Sequence, residues 1–415
     1  MLNLASKIEE CLPAELIDFM RDASAITAKR RQNLYLVGGV VRDLLLGKTN
    51  LDLDLVMEGD AIDLAQQLSP LYPGKLTTHP PFGTAKLQWR TWSADLATAR
   101  SETYCKPGAL PDVTPGSIEN DLFRRDFTIN AMAVNLSPDK YGELIDRHGG
   151  RDDLGHKQVR VLHDRSFIDD ATRIWRGLRY EQRLNFRLEI KTLKLLRRDI
   201  SILDTISGDR IRYELECVLN EESPEKALRR ADELGVLASL LPSLKGDGWL
   251  AEKFRQARQL YGPDSPPLVL YMVLLAYPLT DEEITELISC LKLPKPTAKT
   301  LRDTINLKNR FDLLADPEIT PGGIYSRLHD FSITAITANE LASDSAVVCQ
   351  HLHLFKDKLR YVKPILTGND LNNMGITGPR IKEILNRLLA ARLDGKVSSK
   401  EDEKRLVSGW LAVTN

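Results

Sequence analysis

The chain has 415 residues, 42% of them hydrophobic and 28% charged, with a formal net charge of −1. That length suggests two to four domains with sizeable cores, and so even a charge balance means that any mark of nucleic-acid binding has to be local. No apolar run reaches the roughly 18–20 residues that cross a bilayer, the N-terminus lacks the regions of a signal peptide, and the five scattered cysteines form no Cys-x-x-Cys pair, which argues against a disulfide framework or zinc site and for a reducing cytoplasm.

Residues 1–30 read as one or two amphipathic helices, with Pro13 near a helix start. Leu34–Val37 is a short apolar strand that runs into Gly38-Gly39, after which Val40–Leu46 reads as a helix closed by Gly47. A strand, a Gly-Gly turn and a helix start present backbone N–H groups to an anion, and Arg42 adds a charge at the mouth. Leu51-Asp52-Leu53-Asp54-Leu55-Val56 then alternates with the period of a strand. Leu51, Leu53 and Leu55 point to a core, while Asp52 and Asp54 share the other face, about 6–7 Å apart at Cα. Two such carboxylates converge on a hard cation such as Mg²⁺, which borrows further ligands from phosphates. The alternative is an acidic, solvent-facing edge strand.

A helix over 59–68 and two strands over 82–89 and 93–100 follow, the second carrying Asp95 as a candidate third carboxylate or a simple turn residue. Residues 101–118, with Pro107, Gly108, Pro111, Pro115 and Gly116, read as a loop without regular structure. At Arg124–Val134, Asp126 is expected to cap a helix that turns Ile129, Met132 and Ala133 inward and leaves Arg125 and Asn130 free for a ligand. A turn at Asp146–Leu154 and a last strand at Val159–Leu162 complete the head, and beyond about residue 165 helical spacing takes over. The first helix, Phe167–Tyr180, places Asp170 and Arg173 at i,i+3 as surface neighbours, with Ile174, Trp175 and Leu178 inward. From Arg173 to Arg198 there are nine Lys or Arg against two Glu, a solvated helix face or a phosphate-binding one.

Taken in order, LVGGVVRDLLLG (36–47), LDLDLV (51–56), DLATAR (95–100), RRDFTINAMA (124–133), DDATRIWRGLRY (169–180) and GDRIRYEL (208–215) resemble the class II tRNA nucleotidyltransferase and bacterial poly(A) polymerase family, within the polymerase-β-like nucleotidyltransferases. The match covers about residues 30–245 and continues weakly through LTGNDL (366–371) and GITGPRI (375–381). The resemblance implies an α+β fold: helices over 1–30, a catalytic head with a small mixed sheet over 31–164, then an all-α neck (165–245), body (246–360) and tail (361–415).

The resemblance also implies the chemistry. Asp52 and Asp54 would bind two Mg²⁺ ions that activate the 3′-hydroxyl of an RNA against the α-phosphate of a nucleoside triphosphate, with Asp95 kept as the candidate third catalytic carboxylate. Gly38, Gly39, Arg42, Arg125, Asp126, Asn130, Arg176 and Arg179 would hold the nucleotide, while Arg183, Arg187, Arg197, Arg198 and Arg380 would contact tRNA. Asp170 and Arg173 match the family's nucleotide-selecting motif. A carboxylate accepts from the exocyclic amine of cytosine or adenine while a guanidinium donates to the ring nitrogen. Uracil and guanine present the reverse polarity, which leaves groups unpaired at roughly 1–3 kcal/mol each. CTP and ATP are the substrates so implied.

Ala171 stands where many members carry Pro, and the loop between Arg100 and Arg124 departs from versions associated with full CCA addition. A CC-adding or A-adding specialist, working beside a second nucleotidyltransferase, therefore stays open. The competing functions are a poly(A) polymerase, disfavoured by a chain that ends in Val413-Thr414-Asn415 without a basic extension, and a non-catalytic RNA-binding relative, disfavoured by Asp52 and Asp54. Gly378-Pro379-Arg380 reads equally as a phosphate-binding turn and as a helix start with Pro at N1. His351 and His353, at i,i+2, splay apart on a helix and are expected to be ordinary surface histidines.

Overall fold

A computed structural model describes residues 2–109 and 111–412; Met1, Leu110 and the Val413-Thr414-Asn415 end lie outside the described residues. The chain divides into two compact units, Met1–Ser239 and Leu240–Asn415.

The first unit opens with α1 (Ala5–Cys11) and α2 (Ala14–Lys29), the latter entered from Pro13. Next come β1 (Leu34–Val37), α3 (Gly39–Leu45), β2 (Leu53–Met57) and α4 (Ala61–Leu68), whose start is capped by the Asp60 carboxylate. β3 (Lys75–His79), β4 (Thr84–Trp89) and β5 (Trp92–Thr98) follow; β3 was not legible in the sequence. The main sheet also takes β8 and β9 (Ala133–Asn135 and Leu144–Ile145), in the order β3-β4-β5-β2-β1-β8-β9. Its one parallel pair is β2 with β5.

The strand that carries Asp54 is therefore central. Leu53 and Leu55 are buried on one face; Val56, two residues after Asp54, packs on the other with Tyr35, Val37, Ile118 and Leu122. A solvent-facing edge strand is ruled out. One expectation fails here: β2 begins at Leu53, and Leu51 is 45% exposed rather than in the core.

Residues 101–118 are not structureless. β6 (Arg100–Thr103) and β7 (Asp112–Pro115) form an antiparallel hairpin, with Ser101 and Thr114 hydroxyls 2.7 Å apart. Its prolines sit beside the turn and at the ladder's end, where a missing N–H costs least. After α5 (Ile118–Phe123), the expected helix over 124–134 is also absent: a 3₁₀ turn at Thr128–Asn130 leads into β8. Asp126 accepts the Phe127 N–H, Thr128 donates to Asp153, and Phe127 bridges Val161, so tertiary partners replace the helical ones.

The turn after Asp146 leads into α6 (Gly150–Gly155). The expected last strand is only β10 (Gln158–Val159), which pairs in parallel with a later β11 (Arg187–Leu188). The expected helix over 167–180 is broken: α7 (Ser166–Asp169) ends before an extended Asp170, and α8 (Thr172–Arg183) starts anew. Asp170 accepts from the Thr172 N–H and hydroxyl, an Asx-type turn that competes with the helix. Ile174, Trp175 and Leu178 are buried as expected. α9 (Ile190–Asp199), α10 (Gly208–Leu219) and α11 (Pro224–Glu233) finish the unit, and its boundary falls within α12 (Val236–Leu240).

The second unit is helical throughout its described residues. It runs from α13 (Gly248–Tyr261) through α14 (Leu268–Ala276), α15 (Asp281–Cys290), α16 (Lys295–Lys308), α17 (Pro321–Leu328), α18 (Ile333–Ala342) and α19 (Ala346–Asp357). α20 (Gly368–Asn373), α21 (Pro379–Leu393) and α22 (Lys400–Ala412) pack around a core of their own that includes Leu371, Leu388 and Val407. Pro379 is the first residue of α21. The two rings do point apart, but only His353, paired with Glu340 and Asp357, is a surface histidine; His351, expected at the surface, is buried against the Leu314 carbonyl. No described helix is long and apolar enough to cross a membrane.

Candidate nucleotide-binding site

One cavity of about 570 Å³ in the first unit gathers most of the residues singled out in the sequence. Gly38, Gly39, Arg42, Asp52, Asp54, Arg125, Asp126, Asn130, Asp170, Arg173, Arg176 and Arg183 all line it. They come from the β1–α3 turn, the start of β2, the segment between α5 and β8, and the α7–α8 junction with α8, up to 145 residues apart (Gly38 to Arg183) and brought together by the mixed sheet and the helix behind it.

Gly38 has to be glycine. Its φ is +76°, and a Cβ there would stand 2.8 Å from Arg125 Nη1 and 3.7 Å from Asp54 Oδ2. Asp52 lies just before β2 and Asp54 on it, and neither carboxylate accepts a hydrogen bond among the described residues. Burial, with Asp95 and Asp52 adding to it against the pull of Arg125, raises the Asp54 carboxyl to about 6. Asp95 stands beside Asp54 in the parallel register and Lys86 beside Asp95 on the other side. Lys86 Nζ binds Asp95 Oδ2 at 2.8 Å, and Asp95 does not line the cavity, so the third carboxylate is engaged by a neighbouring lysine. No group of three or more His, Cys, Asp or Glu suited to a metal occurs among the described residues. The pair Asp52 and Asp54 fits a cation that draws its remaining ligands from substrate.

Arg42 is not a free charge at the mouth. It is 3% exposed, with Nε and Nη2 on Asp43 at 2.8 and 2.9 Å and Nη1 on Asn130 Oδ1 at 2.8 Å. Asn130 in turn donates to Asp126 at 3.0 Å, and Asp126 takes Nε and Nη2 of Arg176 at 2.9 and 2.6 Å. Burial pushes the Asp126 carboxyl up, but Arg176 and Asn130 outweigh it and hold it below the usual carboxylate range. Asn130 and Arg125 are thus partnered, not free. Arg125 and Arg124 both close on the buried Asp121, and Arg124 also reaches Glu102. This network fixes cationic side chains around the cavity before any ligand arrives, so little is lost in ordering them.

Asp170 and Arg173 do not pair with each other, and Arg173 is only 5% exposed, not a surface neighbour of Asp170. Arg173 donates through Nη1 to Ser166 Oγ and O (2.8 and 3.2 Å) and through Nη2 to the Arg124 carbonyl (2.6 Å). Asp170 Oδ1 takes three donors: the Thr172 N–H, the Thr172 hydroxyl and Arg210 Nη2 at 2.7 Å. Oδ2 takes none among the described residues, which leaves one acceptor of fixed aim. Arg210 also donates to the Gly108 carbonyl in the turn of the β6–β7 hairpin.

The basic run is largely neutralised within the fold. Arg179 does not line the cavity and lies near Glu214 and Glu221, Arg183 near Glu221, and the fork of Arg198 closes on Asp199. Arg187, Lys194 and Arg197 are exposed and make no ion pair among the described residues. Arg380 belongs to the second unit, exposed in the first turn of α21. Sequence reasoning assigned no role to Asn50, Glu102, Tyr104, Arg124, Thr172, Tyr180, Arg210 and Glu214, which also line the cavity. Arg210 and Glu214 lay within a recognised motif; Glu102 and Tyr104 were hidden in the supposed loop. Burial raises the Glu214 carboxyl, against Arg176 and Arg179.

A small mixed sheet that holds two unpartnered carboxylates beside a Gly-Gly turn and a cage of guanidinium groups, followed by helices, defines a polymerase-β-like nucleotidyltransferase. Comparisons with known proteins agree. The poly A polymerase head domain matches residues 34–160, and the "probable RNA and SrmB-binding site of polymerase A" matches residues 185–247. An A-adding tRNA nucleotidyltransferase of Halalkalibacterium halodurans is 31% identical over 96% of this chain and 94% of its own length. One of Geobacter sulfurreducens is 33% identical over 95% of this chain, which spans only 47% of that longer protein. The solved Thermotoga maritima CCA-adding enzyme, complexed with tRNA, superposes with a TM-score of 0.75 at 29% identity over 99% of each chain. The chain belongs to the tRNA nucleotidyltransferase family.

Proposed function

We propose that the protein adds nucleotides from ATP, CTP or both to the 3′ end of tRNA without a nucleic-acid template. The observation that carries this reading is the single cavity that combines the Asp52–Asp54 pair with the oriented Asp170 and Arg173. Asp52 and Asp54 would hold Mg²⁺, which supplies charge neutralisation at the α-phosphate and lowers the pKa of the attacking 3′-hydroxyl. The chain's own residues do the positioning. Gly38 gives phosphate room against Arg125, while Arg176, set by Asp126, presents positive charge at the cavity wall.

Base choice follows from the fixed acceptor. Asp170 Oδ2 accepts from the amino group of adenine or cytosine, and Arg173, with its guanidinium held by two backbone carbonyls and Ser166, donates to the adjacent ring nitrogen. A carbonyl of uracil or guanine facing Oδ2 would be repelled and unpaired. Exposed Arg187, Lys194 and Arg197 offer phosphate contacts to RNA, and the helical neck, body and tail (165–245, 246–360 and 361–415) provide the remaining surface.

The test is to offer tRNAs ending before CCA, after C and after CC, with each labelled NTP in turn. Relatives named A-adding lead us to expect AMP on the ending in CC. Incorporation of UMP or GMP as readily as AMP and CMP would overturn the base-reading roles. Long adenylate tails on unrelated RNA would replace the reading with a poly(A) polymerase, and a protein inert with every NTP would be the non-catalytic relative.

A further inference from the structure

A second cavity, of about 500 Å³, lies against the first, and Glu102, Tyr104, Arg124 and Arg173 line both. Its own wall includes Phe123, His163, Arg165 and Asp169. Phe123, the last residue of α5, is 50% exposed. Its ring centroid stands 5.1 Å from that of His163 and 5.8 Å from that of His148. Phe123 and His163, from separate segments, thus both line this space, His148 lies against the Phe123 ring outside it, and a large aromatic side chain is held at the edge at a cost in hydration.

The charges around this space cancel. Arg124 is paired with Glu102 and Asp121, Arg165 lies 3.6 Å from Asp169, and Arg173 gives three of its five N–H groups to Ser166 and the Arg124 carbonyl. Burial lowers the pKa of His163, with Arg173 assisting, and burial also lowers that of His148, so both rings are neutral near pH 7. A site with cancelled charge and a half-exposed phenyl ring suits a flat, neutral, polarizable group. A phosphate would meet Glu102, Asp164 and Asp169 as well as the three arginines. A nucleobase meets the description, since every base has a π-face that stacks on aromatic side chains.

Resting on the nucleotidyl-transfer reading, we propose that the Phe123–His163 cavity is a stacking subsite for a base of the single-stranded RNA 3′ end. The shared wall is the reason for choosing RNA over another planar ligand. A chain whose terminal hydroxyl faces the Asp52–Asp54 pair passes next to Tyr104 and Arg124, and its neighbouring base can turn into the second cavity. Stacking tolerates any base, so the subsite contributes grip without reading sequence, which leaves nucleotide choice to Asp170 and Arg173. Tyr104, whose hydroxyl is tied to Glu102 at 2.8 Å, stands in the partition between the two cavities.

The experiment measures binding of a fluorescein-labelled RNA minihelix ending in two cytidines by anisotropy, with nucleotide incorporation followed in parallel. Phe123→Ala is expected to weaken minihelix binding about tenfold and to raise KM for RNA similarly, with KM for ATP unchanged. Phe123→Tyr, which keeps the ring, retains affinity within about twofold. In Phe123→Trp the new indole is quenched when minihelix is added. Equal minihelix affinity in Phe123→Ala and wild type, or a rise confined to KM for ATP, overturns the subsite while incorporation by wild type keeps the parent reading. A wild type that neither binds nor extends the minihelix overturns both. Unfolding temperatures of all variants within a degree or two of wild type separate loss of stacking from loss of fold.

Discussion

Replacing Asp54 with asparagine should abolish nucleotidyl transfer and yet make the metal-free protein more stable. Asp54 sits on a central strand with Asp95 beside it, and its carboxyl is raised from 3.8 to about 6 by burial and by like charge. That difference corresponds to ~3 kcal/mol. The residue keeps partial exposure, and solvent screening reduces the cost of keeping it ionised to about 1–2 kcal/mol. The sign follows from the direction of the shift. A carboxyl that holds its proton more tightly in the folded state is no burden below pH ~4, becomes one as pH rises from about 4 to 6, and stays one above. Asparagine has nearly the same shape and no such burden. In a unit of this size 1 kcal/mol moves Tm by about 2–4 °C, so Asp54→Asn should melt about 2–8 °C above wild type at pH 7.5 in EDTA and level with it at pH 4. Added Mg²⁺ should raise the wild type alone, closing the gap. Activity of the variant should fall by 10³ or more, on the order of the several kcal/mol that metal-held charge contributes. A variant no more stable than wild type at pH 7.5, or a gap that does not change with pH, would refute the reasoning.

Arg210→Gln removes one of three donors that orient Asp170, and should raise misincorporation of UMP or GMP relative to AMP about tenfold in single-nucleotide assays, with Tm little changed. Arg176→Met leaves Asp126 buried without its cation and should lower stability by about 3–5 kcal/mol in thermal unfolding; adding Asp126→Asn should recover much of that loss. Gly38→Ala combines a positive φ with a Cβ thrust at Arg125, and should reduce affinity for ATP in equilibrium titration more than it reduces stability. Changing Arg187, Lys194 and Arg197 together to Ala should flatten the plot of log affinity for tRNA against log salt by about 0.7–0.9 for each phosphate that these side chains neutralise.

The residues of the cavity were legible because each chemical requirement sits in a short run: Gly38-Gly39, Asp52 and Asp54, Arg125 with Asp126 and Asn130, Asp170 with Arg173. Their local structure was less so. Spacing alone puts Asp126 at the cap of a helix and Asp170 within one, yet each turns its carboxylate onto a nearby backbone N–H, and no α-helix follows Asp126 while the one at Asp170 is broken there. Short polar residues do this wherever a tertiary partner rewards the alternative conformation, and Arg176 and Arg210 are such partners. The β6–β7 hairpin was hidden by its prolines, although Val113-Thr114 facing Ser101-Glu102 carries the β-branched signal of a strand pair. Arg42, Arg179 and Arg198 read as free charge because sequence shows cations and not the carboxylates that neutralise them; Asp43, Glu214 and Asp199 become partners only in the fold.

Arg210 holds the Gly108 carbonyl with one nitrogen and Asp170 with another, and this has an evolutionary consequence. Gly108 is seated tightly, since any Cβ there would meet Thr205 at 2.5 Å. A hairpin turn is where a chain most easily gains or loses residues. On the reading proposed here, a change in turn length would shift one end of a guanidinium whose other end aims the base acceptor. Lineages could then drift between adding one nucleotide and adding another by editing a surface turn, while every residue that touches the base or the phosphates stays the same.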